Sequence, residues 1–499
     1  MKNKTYLLLL VLTSWLMTAC SVSNNIYTPQ KKYSTEELKE DVQVMEKTLR
    51  NNHPSLNWYS SDEEINASFQ RAYLLLKDSM NEIQFRNLLS ETVFPIRCGH
   101  TSIRFSKQYY QYQIGRRNLT FPLGIKIIDD STLAVTSNIN RRDSVIRTGT
   151  RILAIDAFNA RQIIDTLLPM VSIDGNSKNF SYQNLSNSFA TYFNNRIGIK
   201  KNYNIVYMDE KGNVKNRLIQ VYDPANDSLR RGRFTGNTFP TQPETISARQ
   251  RRVQSIRSFK IDSTNVYATL RLNSFGPGLK KQFLKKSFRQ LRKKEIEHLI
   301  IDVRNNGGGL IKTSLYLSRQ IHKQSFLFAD SIYSKHRKIK SGAIVSKKLI
   351  YNLGLFFLSR KVSDSMYAFR FFRNKTYQPV KKSYTGKVYV LTGGYSFSAT
   401  TLFAASVKGL ARVTIVGEET GGGYYGNNGV FIPEMVLPNS KLRVRLPLHR
   451  IVNNKNYPKN GSGVLPDVEV KASPESIRLN KDPKMEKTIE LIQQTKNKF

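Results

Sequence analysis

His298-Leu299-Ile300-Ile301-Asp302-Val303-Arg304-Asn305-Asn306-Gly307-Gly308-Gly309 is the stretch on which the fold of this 499-residue chain turns. A short apolar run that breaks into a glycine turn reads as a strand buried on both faces. Val266-Tyr267-Ala268-Thr269-Leu270-Arg271-Leu272 upstream, and Lys387-Val388-Tyr389-Val390-Leu391 and Val413-Thr414-Ile415-Val416 downstream, read the same way. A Lys/Arg-rich amphipathic stretch at about 279–295 reads as a helix between the first two. Strands alternating with helices predict an α/β domain over about 257–472 with a largely parallel core. Residues of about 325–385 fit no such unit and read as an insertion.

Working outward, residues 226–256 are polar, lack apolar periodicity and read as a linker. Over 117–225, alternating Ile125 and Ile127, then Leu133-Ala134-Val135, read as short strands. Phe121-Pro122-Leu123-Gly124-Ile125 and Gly149-Thr150-Arg151-Ile152-Leu153-Ala154-Ile155 resemble the loop and a later strand of a PDZ domain. That resemblance implies an edge strand able to take up an extended peptide. Before it, Ser34-Thr35-Glu36-Glu37 is a capped helix start, and Leu38, Val42, Met45 and Leu49 follow at helical spacing. Residues 34–116 therefore read as an N-terminal helical domain, 21–33 as a tether and 473–499 as a C-terminal tail.

The first twenty residues read as a targeting segment. Lys2 and Lys4 precede an apolar run from Tyr6 to Met17 that is too short to span a bilayer comfortably. It ends Leu16-Met17-Thr18-Ala19-Cys20, which resembles a bacterial lipobox and implies lipidation of Cys20. Export and a lipid-anchored place in the cell envelope are expected. Cys98 is then the one remaining thiol, so no internal disulfide can form.

Lys and Arg number 78 against 37 Asp and Glu, a net charge of +41. Such a balance favours acidic polymers or anionic membrane surfaces. The basic residues are dispersed, their densest cluster being Lys335-His336-Arg337-Lys338-Ile339-Lys340. No zinc-finger or RNA-binding signature accompanies them, so nucleic acid is not indicated as a partner. No metal-ligand spacing and no nucleotide fingerprint stands out, so no metal or cofactor is expected.

Two places invite chemistry, because sites in α/β domains collect where strands end. One is the glycine turn at 307–309, whose backbone can approach a ligand and present free N–H groups. The other is Leu391-Thr392-Gly393-Gly394-Tyr395-Ser396-Phe397-Ser398-Ala399-Thr400, a strand passing through small residues into a helix. A serine there is commonly a helix cap, and it is also where a nucleophilic serine gains stabilisation from adjacent amides.

Together these blocks, with Val416-Gly417-Glu418-Glu419-Thr420-Gly421-Gly422-Gly423 and Gly463-Val464-Leu465-Pro466-Asp467, resemble the tail-specific (C-terminal-processing) serine peptidase family. The resemblance covers roughly 257–472. It implies a crotonase-like α/β core of ββα units and a polypeptide substrate. It also implies that Ser398 is the nucleophile, with Ser396 the alternative, and that the amides of Ala399 and of Gly307 or Gly308 form the oxyanion hole. The family's best-known branch uses a lysine after the Val-Gly-Glu block. Here Gly423 holds that position, and no lysine occurs between Lys408 and Lys441.

A different base is needed, since an unassisted serine hydroxyl is a poor nucleophile. Of the six histidines, His100 in Arg97-Cys98-Gly99-His100-Thr101 is the candidate. Its block resembles that of the histidine-using, tricorn-core-like branch of the family, with Cys98 where that branch has Asp. His298 falls inside a strand and reads as structural, and His53 as the end of a helix. That branch tends to carry a Glu before the Gly-Val-x-Pro-Asp block; here Asn460 is nearest and no third residue is assigned. A catalytically inactive scaffold that binds peptides or other ligands is the alternative expectation, motivated by the missing lysine and acid.

Overall fold

The structure is a computed structural model that describes residues 27–140, 143–227, 247–364, 366–370 and 375–496. The targeting segment 1–20 with Cys20, the first part of the tether, and residues 228–246 of the linker lie outside the described residues.

Three helices open the chain: α1 (Thr35–Asn52), α2 (Asp62–Leu75) and α3 (Glu82–Val93). Each starts in a reciprocal capping box, Ser34 with Glu37, Ser61 with Glu64 and Asn81 with Gln84, which satisfies first-turn amides. After the loop that carries His100 comes a two-residue strand, β1 (Ile103–Arg104).

Next comes an antiparallel sheet whose main strands, β2 (Leu123–Ile127), β3 (Leu133–Asn138), β4 (Arg151–Ile155), β5 (Asn202–Met208) and β6 (Val214–Gln220), are ordered as named, with the two-residue strand Phe158–Asn159 paired to β4 off that path. Helix α4 (Asn179–Asn187) packs on β2, the edge strand. Ser186 of α4 accepts the Ile127 N–H at 2.8 Å. That edge amide is thus already engaged.

The central sheet has the order β7 (Arg257–Ile261), β8 (Tyr267–Leu272), β9 (His298–Asp302), β11 (Lys387–Thr392), β12 (Val413–Gly417), β17 (Val468–Glu469). From β8 to β17 neighbouring strands run parallel, and β7 alone is antiparallel to its neighbour. Helices α5 (Lys281–Lys293), α6 (Ile311–Ile321) and α8 (Ala399–Val407) supply Leu284, Leu317 and Phe403 to the core of one face. The other face packs on α9 (Pro483–Lys496), with Ile492 set against Ile300 and Leu391. Within the segment expected as a tail, Pro474–Arg478 and Pro483–Lys496 are therefore helical, and the second of these adds Ile492 to the core. A short helix whose apolar residues face a sheet gains its stability from that packing, which local sequence does not display.

Between β9 and β11, the segment expected as an insertion builds smaller sheets. Its β10 (Ile344–Val345) joins β14 (Glu434–Val436) and β15 (Arg443–Arg445), and its helix α7 (Lys348–Leu358) follows. A separate sheet pairs Ser331–Ser334 with Met366–Phe369 and with β16 (His449–Val452), beside β13 (Gly426–Gly429).

β1 pairs with β15, Ile103 opposite Val444. Leu38, Met45, Phe85 and Leu89 of the opening helices share one apolar cluster with Met435, Leu442 and Val444. The opening helices and the third region are thus built on one core. Within the described residues His449 is fully buried between Phe369 and Phe431, with no partner on either ring nitrogen.

Burial holds His53, His100 and His449 each at a pKa of about 3. In the unfolded chain each binds a proton near pH 6.5, so the stability they support is present above that pH and is lost as the pH falls towards 3. His449→Phe, which also removes two buried unpaired nitrogens, is expected to raise the urea midpoint at both pH values and by clearly more at pH 4.5 than at pH 8. Equal shifts at the two pH values would contradict this account.

Candidate active site

The parallel register sets Asp302 of β9 beside Leu391 of β11, so the two turns that leave these strands lie next to one another. Three bonds join the turns: Val303 N–H to Leu391 O (3.1 Å), Phe397 N–H to Asn306 O (3.2 Å) and Ser396 Oγ–H to Val303 O (2.9 Å). Ser396 Oγ also accepts the Gly393 N–H at 3.2 Å. The hydroxyl of Ser396 is spent on structure, which removes it as the alternative nucleophile position.

Ser398 is different. It precedes α8 with φ 56° and ψ −121°, a conformation L-residues seldom adopt. Holding it costs on the order of 1–3 kcal/mol. Its side chain makes no capping bond, so the simple helix-cap role is not the one it plays. The Ala399 amide next to it belongs to the first turn of α8, where N–H groups have no intrahelical acceptor. Gly308, at φ +99°, lies against this turn: a Cβ there would come within 2.8 Å of both Phe397 O and Ser398 Cβ. The Gly308 N–H, however, donates to Asn306 Oδ1 at 2.9 Å. That argues against Gly308 as an oxyanion donor, because a hydrogen bond of ordinary length within its own turn engages the amide. Gly307 is exposed on the cavity and has open space about its Cα.

His100 reaches the same place from the opening helices. Ser398, His100, Gly307 and Gly309 line one cavity of about 920 Å³, walled by apolar side chains including Leu310, Leu358, Leu402 and Phe431. The imidazole stacks on Phe397 with ring centroids 4.7 Å apart, and Phe397 stacks on Phe180 at 4.3 Å. Three regions of the chain therefore meet at the residue preceding Ser398. Gly99 allows this approach, since a Cβ there would lie 2.7 Å from the Phe397 ring.

The loop carrying His100 is held by two buried groups, His53, which ends α1 as expected but whose contact with this loop was not legible in the sequence, and Asp174. His53 Nε2 pairs with Thr101 Oγ1 at 3.0 Å. Asp174 Oδ1 accepts the Gly99 N–H at 2.7 Å, and burial pushes this carboxyl up to about 7. Neither residue stood in a motif, and only the folded backbone brings them to residues 99–101. His100 itself is held down at about 3, by burial first and then by Arg445 and His53, so it is neutral at pH 7. Its Nδ1 is buried without a partner among the described residues. Asn460, the residue nearest the expected third position, spends its Oδ1 on Ser462 N–H (3.0 Å) and Ser462 Oγ (2.7 Å). Cys98 is a free buried thiol, pushed up to about 12 by burial, and accepts a hydrogen bond from Asn428 Nδ2 at 3.3 Å.

Two cations also line the cavity, Lys312 and Arg445, and no Asp or Glu does. Among the described residues neither cation makes an ion pair. Nothing in the sequence distinguished Arg445 from the other 77 basic residues, of the 78 present.

Residues 266–470 match the profile of Peptidase family S41. Mature CPAF complexed with lactacystin is 14% identical, with a TM-score of 0.60 over 92% of this chain and 98% of that one. Mature CPAF is likewise 14% identical, with a TM-score of 0.59 over 89% and 94%. At that identity the likeness is one of fold. No curated protein sequence matches the chain.

Gly307 and Gly308 should respond oppositely to alanine. Gly308→Ala forces contacts of 2.8 Å at a positive φ and is expected to lower the melting temperature, whereas Gly307→Ala has free space and should leave it nearly unchanged. Thermal denaturation of the two variants side by side checks this; a Gly308→Ala protein as stable as the wild type would contradict the packing.

Proposed function

We propose that this chain, whose residues 266–470 match the model of Peptidase family S41, is a serine-type peptidase in which Ser398 and His100 carry the chemistry on polypeptides. The observation that carries the reading is Ser398 itself, strained at φ 56° and unbonded at its hydroxyl, on the cavity that His100 also lines. The reaction is endoproteolysis of extended or partly unfolded chains. Ser398 Oγ attacks the scissile carbonyl carbon while His100 takes its proton. The N–H groups of Ala399 and Gly307 stabilise the oxyanion of the tetrahedral intermediate. Collapse expels the amine, which receives the proton from His100, and leaves an ester on Ser398. Water, deprotonated by His100, then attacks the ester; collapse breaks the bond to Ser398 Oγ, which takes that proton back from His100, and the new carboxyl terminus is released.

A neutral imidazole with so low a pKa is ready to accept a proton but is a weak base. Arg445 contributes to that depression, so a carboxylate on the substrate that pairs with Arg445 would cancel part of it and strengthen the base. The substrate class that fits the cavity is therefore a polypeptide segment combining bulky apolar side chains with a carboxylate close to the scissile bond. Export and lipid attachment through Cys20 would set this activity in the cell envelope. A second reading, a scaffold that binds peptides without cutting them, is favoured by one observation, the unpartnered Nδ1 of His100. Failure of the wild type to react with any serine-directed probe would support it.

Ser398→Ala is expected to abolish both peptide cleavage and labelling by a serine-directed fluorophosphonate. His100→Ala should slow cleavage by about 10²–10⁴-fold, the usual share of a general base. Cleavage that survives in Ser398→Ala would remove the assignment. On paired peptides differing by Glu or Gln beside the cleaved bond, the wild type should favour Glu by about tenfold in kcat/KM, the scale of one charge-assisted hydrogen bond. Arg445→Gln should erase that preference; if it persists, the carboxylate is read elsewhere.

A further inference from the structure

Helix α7, beside the cavity, carries apolar residues on both of its faces. Its inner face is anchored: Leu355 is buried, Tyr351 meets Phe431 with ring centroids 5.5 Å apart, and Gly354 lies against the Phe431 ring. Its outer face is Leu349, Ile350, Leu353, Phe356 and Phe357, which are 50–72% exposed, and Ile344 just before the helix is 75% exposed. The outer positions recur as one stripe at helical spacing. A stripe of five large apolar side chains in water is costly unless something covers it.

Charge identifies the cover. From Ser331 to Ser363 the chain carries Lys335, Arg337, Lys338, Lys340, Lys347, Lys348, Arg360 and Lys361, and no Asp or Glu. Lys338, Lys340, Lys347 and Arg360 are exposed and make no ion pair among the described residues. Glu434 on the neighbouring strand β14 is held between Arg104 and Arg443 and does not offset them. A second copy of the chain would bring like charges together around the apolar stripe, which opposes self-association. An apolar stripe of Leu, Ile and Phe rimmed by unpaired cations matches the interface of an anionic bilayer, where the side chains enter the acyl boundary and the cations meet lipid phosphates.

We propose that the outer face of α7, with its flanking cations, docks the protein on an anionic lipid surface. Leu358, the last residue of α7, lines the cavity that contains Ser398. Docking thus sets one wall of that cavity at the lipid surface and gives access to polypeptide lying along it. The inference stands on exposed apolar area and charge, independently of which residues perform catalysis.

The test reads the face directly. On a Cys20→Ser background of the full chain, Phe357→Cys and, as a control, Val214→Cys on the distant strand β6 are labelled with an environment-sensitive fluorophore; Cys98 is buried and stays unlabelled. With mixed phosphatidylcholine–phosphatidylglycerol vesicles, the label at 357 should shift to the blue and become shielded from iodide, while the label at 214 should not. Adding salt, or combining Lys338→Glu with Lys347→Glu, should weaken the vesicle affinity, by about fivefold per cation lost. Circular dichroism of the charge variant checks that it is folded, and surface lysines leave the core untouched. An iodide-accessible label at 357 in the presence of vesicles would overturn the proposal. So would a shift at 357 that appears without lipid and vanishes on dilution, which assigns the stripe to a second copy.

Discussion

A two-residue strand holds the functional arrangement together. Ile103 and Arg104 pair with Val444 and Arg443, and this ladder joins the opening helices to the region that carries Ser398. Behind the ladder, Leu38, Met45, Phe85 and Leu89 interlock with Met435, Leu442 and Val444 in a single core. Each such side chain contributes roughly 1.5–3 kcal/mol when buried, so the junction resists opening. His100 lies three residues before the strand. Its position relative to Ser398 is a consequence of that packing rather than of any direct bond between the two.

Strain and polar commitment are concentrated at the other half of the site. Ser398 occupies a rare backbone conformation, and its surroundings over-determine it. Gly308 lies against its turn, Ser396 bonds the ends of two strands, and Phe397 is sandwiched between His100 and Phe180. A conformation that costs a few kcal/mol persists only where such contacts offset it. The result is a hydroxyl that makes no structural bond, beside an amide whose N–H has no intrahelical acceptor.

Charge acts at two scales. The overall excess of +41 is spread across solvated faces and says little by itself. Its local expressions are specific. One is a cavity with Lys312, Arg445 and no carboxylate. Another is the segment around α7, where cations rim an apolar stripe. At the first place Arg445 adds to the burial that lowers the basicity of the His100 imidazole. At the second, charge and apolar area combine in one surface.

Elements whose signals are local were legible before folding was considered. Apolar runs ending in glycine turns marked β9 and β11, a Ser-x-x-Glu box marked the start of α1, and a serine between strand and helix marked position 398. Gly423 likewise excluded a lysine at its position from sequence alone. Everything that rests on distant pairings emerged only in the folded chain. The C-terminal helix α9 was unreadable because its packing on β11 and β12 is what stabilises it. Asp174, His53 and Arg445 acquired meaning only when folding brought them to His100, since a charge or hydrogen bond acts through distance in space. Gly307 and Gly308 looked equivalent as sequence. They separated because the direction of one backbone N–H, bonded to Asn306, is fixed by the turn and not by the residue type.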